Sequence, residues 1–145
     1  MSVDHDIEVL KSLVAATLDS VKGYEQAQRG STNPRVISHF SKRLIERKHV
    51  ATELRLELHR LLGGSAIDND PRPGTPHRLR ATANDRAVVQ AVKAGEGKLK
   101  REYQRALADP EVSAAVRNLV QRAYDLIKMG HDEILNLDHL IHPAL

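Results

Sequence analysis

Cysteine is absent from the chain. That removes disulfides, thiolate metal sites, iron–sulfur clusters and cysteine nucleophiles together. Aromatic residues make up only 3%, with one Phe, three Tyr and no Trp. A core with so few rings must be built from Leu, Val, Ile and Ala, which suits helix-on-helix packing better than a β-sandwich. Period-two alternation, the mark of a half-buried strand, is missing throughout. No apolar run approaches the roughly 20 residues of a membrane span. Met1-Ser2-Val3-Asp4-His5-Asp6 is acidic and has no apolar stretch, which predicts no signal peptide. A cytoplasmic protein without a membrane partner is expected. The few serines form no nucleophile elbow, so no hydrolase nucleophile is readable. Gly95-Glu96-Gly97 lies inside a helical pattern rather than between strand and helix, so it is no phosphate loop.

What remains is the composition of a soluble globular domain: 41% hydrophobic, 28% charged, net charge +3. A chain of 145 residues is the size of one domain, here 1–145. The net charge is too mild to argue for nucleic acid on its own.

Apolar spacing of three and four predicts four helices. The first runs from about Asp4 to Gln28, with Leu10, Val14, Thr17, Val21 and Tyr24 inward. Gly23 interrupts it, either at a close helix approach or where glycine is merely tolerated. Gly30 is expected as a left-handed C′ residue. Asn33-Pro34 supplies an N-cap and an N1 proline for the second helix, about Pro34 to Leu62. Its inward stripe reads Ile37, Phe40, Leu44, Arg47, Ala51, Leu54, Leu58, Leu61, and Gly63-Gly64 stops it. Residues 63–83 are rich in Pro, Asp and Gly and read as a long crossover. The third helix spans about 84–107 with Val89, Val92, Glu96, Leu99, Tyr103 and Ala106 inward. Asp109-Pro110-Glu111 predicts the start of the fourth, about 110–141. Its inward face reads Val112, Val116, Leu119, Ala123, Ile127, Gly130 and Ile134. Two short loops and one long crossover make an all-α, ferritin-like four-helix bundle the expected architecture.

Several short motifs carry a family resemblance: Gly23-Tyr24-Glu25-x-Ala27, Arg47-x3-Ala51-x-x-Leu54, Gly63-Gly64, Gly95-Glu96 and Tyr103-x-x-Ala106-Leu107. In this order and spacing the chain resembles a bacterial ferritin-like four-helix-bundle family of unknown function. The resemblance implies a ferritin-like bundle and supplies no established reaction.

A di-iron bundle presents one Glu from each of two helices and Glu-x-x-His from each of the others. Glu46-x-x-His49 has that spacing, but Glu46 lies roughly 100° and His49 roughly 160° from the inward Arg47. Both are expected on the surface, as a decoy. In the fourth helix His131 is preceded three residues earlier by Lys128, not Glu. Under a crossover topology Arg47 comes level with Glu96, with Tyr24 and Tyr103 as candidate hydroxyl neighbours, and Glu25 comes level with His131. Two expectations follow. One is a buried Arg47–Glu96 pair that sets helix register, in a non-catalytic bundle acting through self-association, as a dimer, or through a protein partner, with no cofactor. The other is a degenerate metal site of Glu25, Glu96 and His131 holding iron, manganese or zinc, the only basis for an enzymatic, oxidase-type activity. A third function class uses the basic crossover (Arg72, His77, Arg78, Arg80, Arg86) for an anion or, less expected without an aromatic platform, nucleic acid. His139 and His142 beside Asp138 read as a helix end.

Overall fold

A computed structural model describes residues 3–63 and 85–141, with the side chains of 85 and 137–141 excepted. The crossover residues 64–84, including Arg72, His77, Arg78 and Arg80, therefore lie outside the described residues, as do His142 and the side chains of Asp138 and His139. Among the described residues there are four helices: α1 (Val3–Gly30), α2 (Pro34–Leu61), α3 (Asp85–Ala108) and α4 (Ala114–Ile141). No strand occurs among the described residues.

Local chemistry accounts for most boundaries. Asn33 is extended (φ −73°, ψ 121°) and its side chain accepts from the Arg35 N–H at 2.9 Å, capping α2 with Pro34 at its start. Gly63 takes the left-handed conformation (φ 75°) and its N–H bonds to the Arg60 carbonyl, ending α2. Gly30, expected to play that role for α1, is helical instead; the Ser31 hydroxyl donates back to the Ala27 carbonyl at 2.7 Å and closes the helix. Gly23 has open space where a Cβ would stand, so it marks no close approach.

The start of α4 departs from the expectation. Asp109-Pro110-Glu111 forms a turn, in which the Asp109 side chain accepts from the Glu111 N–H and from His5. The helix begins at Ala114, with the Ser113 hydroxyl accepting from the Val116 N–H. Buried Asp6 of α1 accepts from the Ser113 N–H at 2.9 Å. A tertiary contact with α1 thus holds the turn four residues away from a good local start signal.

Helix α1 packs on α2 and α3, α3 on α4, and α2 on α4. Thr17 meets Tyr103 and Tyr24 meets Glu96, so α1 and α3 run antiparallel. The start of α3 lies beside the end of α1, with Val88 against Gly30. Helices α2 and α3 are therefore parallel and diagonal, with the end of one and the start of the other at opposite ends of the bundle. This is the connectivity of a ferritin-like bundle with one long crossover.

Among the described residues the apolar interior forms two clusters rather than one. The larger contains Leu10, Val14, Leu54, Leu99, Val116 and Ile127, the smaller Tyr24, Phe40, Val89 and Ile134. Between them lies a layer of buried charge.

Candidate functional site

The layer is centred on Arg47 of α2 and Glu96 of α3, which are 0% and 2% exposed. Arg47 Nη1 donates to Glu96 Oε1 at 2.6 Å and Nη2 to Oε2 at 2.7 Å. This is the fork-to-fork geometry in which a guanidinium satisfies both carboxylate oxygens. Tyr24 donates its hydroxyl to Glu96 Oε1 at 2.8 Å, and the Arg47 guanidinium lies 5.6 Å from the centre of the Tyr24 ring. Arg47 also donates to Ser20 Oγ at 3.1 Å. Tyr24 in turn meets Phe40 edge-on, which joins the charged layer to the smaller apolar cluster.

The place for the guanidinium is made by α4. Gly130 is buried there, and a Cβ on it would come within 2.5 Å of Arg47 Nη2 and 3.3 Å of Arg43 Cδ. Glycine at this point lets two arginine side chains cross the bundle where α4 would otherwise project a side chain.

Arg43, one turn before Arg47, is also buried, at 2% exposure. It donates to Glu46 Oε1 at 3.0 Å and lies 3.4 Å from Glu133 Oε2 of α4. His39 sits beside it, 3.6 Å from the same Glu133 oxygen, with its Nε2 buried and unbonded. Sequence periodicity misses Arg43, Glu133 and His39. The buried face of α2 runs Val36, Phe40, Arg43, Arg47, Val50, Leu54, Leu58. Ile37, Leu44 and Leu61 of the expected stripe are only half-buried. The helix is turned toward α4 by part of a residue step; the series 36-40-43-47-50-54 is also present in the sequence, but it puts Arg43 inside where the competing series offers Leu44.

That rotation also corrects the placement of Glu46. It is half-buried, drawn in by Arg43, rather than on the surface; His49 is exposed and pairs with Glu53 at 3.1 Å. Glu46 and His49 do not converge. Tyr103 is buried but does not reach Glu96; its hydroxyl shares a 2.6 Å hydrogen bond with Thr17. Glu25 is half-buried and does not bond to Glu96 or His131 among the described residues. His131 is half-buried with an unbonded Nδ1.

Electrostatics follow the geometry. Burial opposes the charge on Arg47, but attraction to Glu96 and then to Tyr24 more than offsets it and holds the guanidinium above its ordinary value. Burial first, and then the negative Glu96, push the Tyr24 phenol well above its ordinary value. Burial pushes Tyr103 up to about 12. Burial also lowers His39 and raises Glu46, the latter against the pull of Arg43 and Arg47.

Ferritin-like di-iron and di-manganese proteins build a metal centre in the bundle core from inward Glu and Glu-x-x-His side chains. The residues here do not fit one. Both oxygens of Glu96 are taken by the arginine fork, which already supplies the neutralising positive charge, and the α4 residue facing that guanidinium is Gly130, which has no side chain to ligate. Among the described residues no group of three or more His, Asp or Glu side chains converges as a metal site.

No protein-family model matches the chain, and no curated protein matches its sequence. Among solved structures it is similar to a two-domain protein from Anabaena variabilis that contains DJ-1/ThiJ/PfpI-like and ferritin-like domains. The match covers 100% of this chain and 42% of that one, with a TM-score of 0.81 and 11% sequence identity. The chain thus spans less than half of that protein's length, and at this identity the likeness concerns fold. Helix order, crossover connectivity and this likeness make the chain a ferritin-like four-helix bundle.

Proposed function

We propose that this protein is a non-catalytic ferritin-like bundle in which an arginine–glutamate pair takes the place of a metal centre, and that it acts through self-association or a protein partner in the cytoplasm. The short motifs that resemble bacterial ferritin-like bundles of unknown function support this reading. The observation that carries the reading is the bidentate Arg47–Glu96 bond seated against Gly130. A carboxylate already neutralised by a buried guanidinium has little left to offer a cation, and displacing Arg47 would leave a buried charge unpaired.

Metal analysis of protein purified without a histidine tag tests this. The expected result is less than about a tenth of an equivalent of iron, manganese or zinc, with no rise in melting temperature on adding any of them, because a ligand that binds the folded state must stabilise it. Stoichiometric metal accompanied by a thermal shift would overturn the reading.

A further inference from the structure

Contact between α2 and α4 is the least extensive of the four neighbouring helix pairs. It leaves a groove of about 360 Å³ with an apolar floor that includes Val50, Leu54, Leu119 and Leu126. Glu53 of α2 and Arg122 and Asp125 of α4 stand at its rim, and Asp125 accepts from Gln121 of its own helix at 3.0 Å. Arg122 is exposed and has no partner among the described residues. Along α4, Arg122, Leu126 and Met129 follow at steps of four and three, so Met129, 53% exposed, continues the same ridge beyond the groove. Along α2, Leu56, 65% exposed, follows Glu53 by one turn.

We infer that the α2/α4 groove is the face through which two copies of this chain associate, an inference that rests on the self-association reading above. Two observations point to a second copy. The first is charge. A two-fold axis along the groove, parallel to the helices, sets α2 of one copy over α4 of the other at equal height. Glu53 then meets Arg122 of the second copy, and the contact is made twice. The second is area. Helices of 28 residues are about 42 Å long, and two side by side present a face of about 800 Å², close to what each partner contributes to a stable interface. The exposed Leu56 and Met129 then fall within the contact rather than in water.

Analytical ultracentrifugation over a range of concentrations tests both levels. The expected result is a reversible dimer whose dissociation constant rises at least about tenfold in Met129→Glu, Glu53→Arg and Arg122→Glu. The double variant Glu53→Arg/Arg122→Glu regains most of the lost affinity. Circular dichroism melts confirm that each variant is folded; Met129 is exposed, so its substitution keeps the test open if a rim variant fails to fold. A protein that stays monomeric throughout overturns self-association and this face together. A dimer indifferent to all three substitutions overturns only the face. A monomer that carries a small apolar molecule in native mass spectrometry overturns the second copy as the occupant.

Discussion

Arg47 and Gly130 compete for one volume: the guanidinium of the first lies where the second would carry its Cβ, only 2.5 Å from it. The buried pair therefore depends on an absent side chain in a third helix. The substitution Gly130→Ala should force Arg47 off its fork with Glu96 or push α4 outward. A loss of about 1–3 kcal/mol in urea unfolding is expected. Gly23→Ala is the control. Its Cβ meets nothing, so the same change there should stabilise the helix by up to about 1 kcal/mol. Equal effects at the two sites would show that the guanidinium can move aside freely.

Truncating either partner of the pair leaves a charge buried alone. Arg47→Ala and Glu96→Ala should each cost about 3–5 kcal/mol, while the exposed neighbour Lys48→Ala should cost almost nothing. Replacing both partners, as Arg47→Met/Glu96→Leu, should recover most of the loss. If the double variant is as unstable as the singles, the pair has a structural role beyond neutralising its own charges.

The pH dependence has a definite sign. His39 binds its proton less readily when folded than unfolded, because burial opposes its charge. The groups facing it are Glu133 from α4, with Arg43, Lys42 and Glu96; Glu133 and Glu96 pull its affinity up, Arg43 and Lys42 push it down. Its contribution is complete above the unfolded histidine value near 6.5 and is lost as pH falls through and below it. Glu46, raised by burial, works the other way: its folded form holds a proton longer, so it costs stability as pH rises from its ordinary 4.5. Unfolding measured from pH 8 to 5 should show falling stability, and His39→Gln should flatten that slope. An unchanged slope would mean that other groups set it.

On the alkaline side the two buried tyrosines should stay protonated while the fold persists. Tyr103 is pushed up to about 12 and Tyr24 is also raised. Both bind their protons more tightly folded than unfolded, so their contribution is intact below 10 and is lost above it. An ultraviolet titration should find neither ionised at about pH 11 until the helical signal collapses. Substituting Tyr24→Phe should remove one of these delayed ionisations.

The true start of α4 is open to test at two positions. Ser113→Ala removes the cap from the Val116 N–H and should cost about 1 kcal/mol. Pro110→Ala alters only the preceding turn and should cost much less. The reverse order would restore Asp109-Pro110 as the working helix start.

Spacing in the chain is enough to read four helices, the buried Arg47 and Glu96, and the inward Gly130, because a helix repeats its face every three or four residues whatever surrounds it. The cap at Asn33 and the stop at Gly63 are equally local. Periodicity leaves α2 poorly oriented, since the 37-40-44-47 and 36-40-43-47 series both pass through Phe40 and Arg47. The more apolar series points to Leu44, whereas burial against α4 selects Arg43. The helix start at Ala114 also lies beyond local reading, because Asp6, more than a hundred residues away, holds the turn before it. The same is true of partnership: Tyr24 reaches Glu96 while Tyr103 turns to Thr17, although both are inward tyrosines. Which face a helix buries is written along its own length. Which charges meet across the core depends on which helices become neighbours, and that is decided only when all four close over their apolar faces.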